Sequence, residues 1–204
     1  AERLGYDNAK AWRNLLRTHR NEIAAAMNIP PSDFRWYAAF HDEGHHPHVH
    51  IMAWSAKPGL AYLNQEGIRK IKSELTRDIF QGELLHLCEQ KSSSRDELVR
   101  QGRKALLELT KRFRSEFCDS PVLESKMLEL AEALETVKGK KVYGYLKKQV
   151  KAQVDAIVDE LAKLPEVEEC YEIWWRLQCQ VEDFYSEREK VRPPLSQVKE
   201  FRAI

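Results

Sequence analysis

The sequence predicts an α+β protein, with an antiparallel sheet core flanked by helices and followed by a mainly α-helical bundle or coiled-coil region. Three observations carry this expectation. Two segments, 34–41 and 48–55, alternate apolar and polar residues and are joined by a short polar connection. Most of the remaining chain carries apolar residues at three-and-four spacing, and Pro or Gly stands between the stripes.

The elements follow in order. Asp7 or Asn8 caps a helix running to about Met27, with Trp12, Leu15, Leu16, His19, Ile23 and Met27 as its stripe, and Pro30 and Pro31 end it. In the first strand Phe34, Trp36, Ala38 and Phe40 share one face, and Arg35, Tyr37, Ala39 and His41 share the other. In the second, Val49, Ile51 and Ala53 oppose His48, His50, Met52 and Trp54, so the pair reads as an antiparallel hairpin. Asn64 caps a helix carrying Ile68, Ile71, Leu75 and Ile79. Ser94 and Glu97 form a capping box for another that carries Leu98, Leu106, Leu109 and Phe113. Stripes at 123–137, 146–164 and 167–184, separated by Gly139 and Pro165, describe helices packed side by side; Trp175 is expected to mark a partner surface. The Pro-interrupted basic tail is expected at the surface. The organisation expected is a sheet core at 1–90, a helical region at 91–188 and a tail at 189–204.

With 204 residues, 43% hydrophobic and 32% charged, the chain is long enough for one large domain or two small ones with a real core. Lys and Arg number 33 against 32 acidic residues, a net charge of +1, so nucleic-acid contact is confined to local patches. No uncharged apolar stretch approaches the roughly 20 residues of a membrane span. The first residues, with Glu2 and Arg3, have no signal-peptide core, so a cytoplasmic protein is expected. Four scattered cysteines form no CxxC pair and read as reduced and structural.

The chemistry concentrates in HDEGHHPHVH, residues 41–50, which hold five of the seven histidines. Strand alternation puts His48 and His50 on one face, and hairpin pairing brings His41 across from them. Three neutral imidazoles at one spot suit a borderline divalent ion, and with no thiolate or fourth fixed ligand the coordination stays open, as in a catalytic site. Asp42 and Glu43 stand beside it to accept a ligand's second ring N–H or to act as a general base. His45 and His46, in the connection, are expected to face substrate or solvent, and His19 and His86 to lie on helix surfaces. A His-x-His pair on a strand is by itself a weak signal; the third histidine and the neighbouring carboxylates strengthen it. Elsewhere, KGKKVYGYLKK interleaves Lys138, Lys140, Lys141, Lys147 and Lys148 with Tyr143 and Tyr145, a pattern suited to phosphates and unpaired bases but also to a solvated loop. Arg69 and Lys70 follow the hairpin and are expected to flank its cleft.

Residues 41–51 closely resemble the third motif of HUH-type relaxases, specifically the MobP/MobL mobilisation relaxases of bacterial conjugative and mobilisable elements. The wider stretches FRWYAAFHDEGHHPHVHIMAWS and VYGYL…PPLSQVKEF resemble the same family. The resemblance implies a metal-dependent enzyme that nicks and rejoins single-stranded DNA at a transfer origin. The residues matching the family's metal ligands are His41, His48 and His50, with Mn²⁺ or Mg²⁺ as the expected ion and Zn²⁺ or Ni²⁺ as alternatives. A tyrosine attacks the scissile phosphate, giving a 5′-phosphotyrosyl enzyme and a free 3′-hydroxyl. Origin DNA is the implied partner, with relaxosome accessory proteins beside it, in the bacterial cytoplasm. In the family that tyrosine precedes the helix that here begins near Asp7, so the chain is expected to be a fragment with an incomplete sheet, inactive without the upstream tyrosine. Tyr37 shares a face with His41 but stands about 13 Å along the strand, a poor substitute, and Tyr6 is a weak candidate. Two further readings are a hydrolase using activated water with Glu43 as base, and a non-enzymatic helical module that binds DNA or protein.

Overall fold

The computed structural model describes residues 2–43, 46–112, 120–186, 188–198 and 201. The architecture is α+β: a two-stranded antiparallel sheet, flanking helices and a helical remainder. The chain divides into two compact units, residues 1–86 with 184–186, and residues 87–183 with 187–204.

In the first unit α1 (Ala9–Thr18) begins where the Asn8 side chain accepts the N–H of Ala11 at 3.0 Å. The single helix expected up to Met27 turns at His19 and continues as α2 (Arg20–Ala26). His19 is not a surface residue: its side chain is 11% exposed and its Nε2 lies 3.0 Å from a carboxylate oxygen of Asp78. Asn28 adopts a left-handed φ of 56°, which ends α2, and its amide donates to the carbonyl of Tyr62. Strands β1 (Phe34–Glu43) and β2 (His46–Ser55) pair in continuous register from Phe34 opposite Ser55 to Glu43 opposite His46. The strands therefore run two residues further at the connection than expected. Pro47 is tolerated because each strand of a two-stranded sheet has an open edge where a missing N–H costs nothing.

Leu16, Ile23, Ala24, Ile29 and Phe34 form the core of this unit, with Trp36, Val49, Ala53 and Ile71 packed against it. Burial fades along the hairpin: Phe34 is 3% exposed, whereas Ile51 is 43% exposed on the same face. Helix α3 (Gln65–Ile79) starts on Asn64, whose side chain accepts the Gly67 N–H at 2.8 Å. Its buried positions include Gly67 and Thr76, and Ile68 of the expected stripe is 45% exposed. Gly67 explains the rotation of the helix: a Cβ there would lie 2.5 Å from the carbonyl oxygen of Ala26, so α3 approaches α2 through backbone.

Helix α4 (Gln81–Arg112) runs unbroken through Ser94. The capping box is not used, because Glu97 turns to Arg100 and Gln101, and a neighbouring serine, Ser92, satisfies its hydroxyl on the Cys88 carbonyl within the helix. The second unit adds α5 (Pro121–Glu135), α6 (Lys148–Leu161) and α7 (Pro165–Asp183). One cluster joins Leu109, Leu123, Ile157 and Leu161; another joins Leu98, Val167, Tyr171 and Trp174 to Leu195, Val198 and Phe201.

The described tail residues Leu195, Val198 and Phe201 are thus core rather than surface. They are 2%, 7% and 1% exposed, and Phe201 meets Trp174 edge to face at 5.2 Å. Polar contacts hold the tail. The Ser196 N–H and hydroxyl both donate to the Asp159 carboxylate at 2.9 Å, the Tyr171 hydroxyl donates to the Pro193 carbonyl, and Arg192 pairs with Glu172 over the Tyr171 ring. Burial pushes the Tyr171 hydroxyl up to about 12, against the opposing pull of Arg192, so it stays a donor at any ordinary pH. Trp175 is half-buried against this cluster instead of marking an open surface. Cys88, Cys170 and Cys179 are free thiols.

Candidate metal centre

Register decides which side chains share the candidate site. His41 stands directly opposite His48, and Ala39 opposite His50, so the three imidazoles project from one face of the hairpin. Their ring centres are 5.4 Å (His41 to His48), 5.2 Å (His41 to His50) and 5.1 Å (His48 to His50) apart. Imidazoles that share one divalent ion through bonds of about 2.1 Å, at angles from about 90° to 109°, hold their ring centres roughly 4.6–5.3 Å apart. The two spacings to His50 lie at the upper end of that range, and His41 to His48 lies just above it.

Among the described residues, no group of three or more His, Cys, Asp or Glu side chains is placed to hold a metal ion as it stands. The spacing of the rings is the more telling quantity, because backbone register sets it, whereas the final imidazole torsion is broad and turns at little cost. One ring is already oriented: Nδ1 of His48 lies 2.8 Å from the His46 carbonyl oxygen. A carbonyl only accepts, so Nδ1 carries the proton and Nε2 keeps its lone pair, the arrangement a ligand histidine needs. His48 and His50 are exposed and His41 is half-buried, so the histidine face is open to solvent.

The other expected site residues separate. Glu43 lies two residues beyond His41 on the histidine face. Asp42 does not: it pairs with Pro47 and projects from the opposite face, because adjacent strand residues alternate. His46 is a strand residue opposite Glu43 rather than part of the connection, and it too lies on the histidine face. His45 lies outside the described residues. Arg69 and Lys70 are exposed on α3, which joins the core of the apolar sheet face through Ile71, so their helix belongs to the side away from the histidines. Tyr6 is stacked edge-on against Trp12 at 5.4 Å; burial, then the charge of Asp78, pushes its hydroxyl up, away from nucleophilic use. Tyr37, Met52 and Trp54 lie on the histidine face and are 74%, 70% and 38% exposed. Alternation had put them there, but nothing in their identity alone ties them to a site.

In the second unit the basic segment takes shape around a short 3₁₀ turn, Tyr143–Tyr145. Tyr143 is not available for stacking: its hydroxyl donates to Asp155 at 2.7 Å and the Lys151 ammonium sits over its ring. Tyr145 is 74% exposed with the Lys140 ammonium over its ring, and a groove beside it is lined by Lys138 and Lys147; Lys141 is exposed nearby.

No helix among the described residues is long and apolar enough to cross a membrane. No curated protein and no solved structure matches the chain. The model of one family, MobL relaxases, matches residues 2–201 and so spans the hairpin and the helical remainder alike. With nearly its whole length matched, the chain belongs to the MobL relaxase family, the relaxases of conjugative mobilisation.

Proposed function

We propose that the histidine face of the hairpin is the metal-bearing half of a relaxase active site, which positions the scissile phosphate of single-stranded origin DNA. The observation that carries this reading is the mutual approach of His41, His48 and His50 to within 5.4 Å on an exposed face. These three would hold a divalent ion, Mn²⁺ or Mg²⁺ before Zn²⁺ or Ni²⁺. A bound ion supplies Lewis-acid stabilisation of the charge that develops on the phosphate oxygens.

The chain's own residues orient the site. The His46 carbonyl holds the His48 ring in its ligating tautomer. Glu43, on the same face, is the carboxylate we assign to a ligand's second ring N–H or to proton transfer; Asp42, on the far face, has no such part. The reaction is transesterification. A tyrosine hydroxyl, which neither Tyr6 nor Tyr37 supplies, passes its proton to a base and bonds through its oxygen to phosphorus; the bond from phosphorus to the 3′-oxygen breaks, that oxygen takes up a proton to become the free 3′-hydroxyl, and reversal rejoins the strand. In the helical unit, Lys140, Lys141 and the exposed Tyr145 add a weaker contact to DNA backbone and bases, whereas Tyr143 serves the fold.

The test is binding of a single-stranded oligonucleotide with and without Mn²⁺, measured by fluorescence anisotropy. Mn²⁺ strengthens binding by the chain, and His48→Ala with His50→Ala abolishes that gain while leaving the metal-free affinity unchanged. A gain that survives the double substitution, or no gain at all, would contradict the assignment.

A further inference from the structure

We infer that Tyr37 and Trp54 form a stacking platform for unpaired bases of the DNA strand whose phosphate lies at the histidines. The inference rests on the reading of the hairpin as a DNA site and adds residues that reading does not use. Tyr37 lies opposite Met52, one cross-strand pair beyond Ala39 and His50 on the same face, and Trp54 follows Met52 by two residues. The Tyr37 and Trp54 rings sit 5.6 Å apart, tilted by 36°, so the two aromatic planes are already organised against each other.

Exposure is the second observation. Tyr37 at 74%, Met52 at 70% and Trp54 at 38% put three large apolar side chains in contact with solvent on a face that otherwise carries Arg35, Ala39, the imidazoles and Glu43. On β1 only the small, exposed Ala39 stands between Tyr37 and His41, and on β2 the exposed Met52 stands between Trp54 and His50, so the platform continues along the face toward the imidazoles. Tyr37 is four residues from His41, about 13 Å at roughly 3.3 Å per residue, within a few nucleotides of a phosphate held there.

A flat base, apolar on its faces and polar at its edges, suits aromatic rings beside imidazoles; an apolar protein surface covering the same patch would also cover the polar histidines and bury them without partners. A β-strand of another chain would be expected along the open edges of the sheet, where backbone groups are unpaired, rather than across this face. The occupant proposed is therefore unpaired DNA.

The test compares Tyr37→Ala with Trp54→Ala, together and singly, against Tyr37→Phe with Trp54→Phe, by anisotropy on a single-stranded oligonucleotide and on an abasic strand of equal phosphate count. The alanine pair weakens single-strand binding about tenfold or more, and the phenylalanine pair stays within about twofold of the parent. The abasic strand binds the parent about as weakly as the intact strand binds the alanine pair, and it does not distinguish the variants. Mn²⁺ binding is unchanged in all of them. Unchanged DNA affinity in the alanine pair overturns the platform, as does equal loss on the abasic strand, or a fall in oligomeric state with DNA affinity intact, which would mean that a second copy covers the patch. The two readings fail separately: loss of the platform leaves Mn²⁺ binding by the histidines standing, and absence of Mn²⁺ binding leaves the stacking difference measurable.

Discussion

The two units use their aromatic residues in opposite ways. In the helical unit Tyr171, Trp174 and Phe201 are all at or below 3% exposure, packed on one another and sealed by the tail. In the sheet unit Tyr37 and Trp54 stand in solvent beside three imidazoles, and only Phe34 among the strand aromatics is fully buried. The difference follows from geometry. A two-stranded sheet has two faces and one layer of helices to cover them, so one face stays open for chemistry, whereas a helix bundle can turn every apolar stripe inward. Buried aromatic packing therefore concentrates in one unit and the candidate chemistry in the other.

The strongest way to break that comparison is to empty the helical core. Phe201→Ala removes a side chain that is 1% exposed and is expected to destabilise the second unit by about 3–5 kcal/mol, read by chemical denaturation, while Mn²⁺ affinity under native conditions is unchanged. In the sheet unit the most sensitive position is Gly67. An added methyl meets the Ala26 carbonyl oxygen at 2.5 Å, so Gly67→Ala forces α3 off α2 and costs about 1–3 kcal/mol despite the better helix propensity of alanine. Asn64→Ala, which strips the cap from the same helix, costs about 1 kcal/mol by the same measurement.

Smallest is the bridge from α5 to α6. The hydrogen bond from Lys126, then that from Lys163, holds the Glu160 carboxyl below its ordinary value. A depressed carboxylate contributes stability above its unfolded pKa and loses it as pH falls through the folded one. Lys126→Ala should therefore cost less than about 1 kcal/mol at neutral pH, and the gap from the parent should close as pH falls below about 4.

What the sequence made legible follows the same division. Alternation in the two strands was enough to place His41, His48 and His50 together, because a side-chain period of two and a short connection leave almost no freedom in register. The same rule, carried one residue further, separates Asp42 from Glu43. The helical unit was harder to read. Ser94 and Glu97 look like a helix start, yet in a long helix a serine can return its hydroxyl to the preceding turn and a glutamate can pair with the next one, so α4 continues. The tail reads as surface because its prolines and basic residues interrupt any regular apolar stripe, but Leu195, Val198 and Phe201 fall three apart and fill one gap. Tyr143 looked like a stacking residue until Asp155, one helix away in sequence, claimed its hydroxyl. Contacts of that range leave no mark in local pattern.

The central claim is that three imidazoles on the open sheet face bind one divalent ion. Calorimetric titration of the chain with Mn²⁺ tests it most directly. A single site is expected, weakened at least about 100-fold by His48→Ala with His50→Ala, with the unfolding midpoint of the helical unit unmoved. A titration that shows no site, or one that the double substitution leaves intact, would contradict the account.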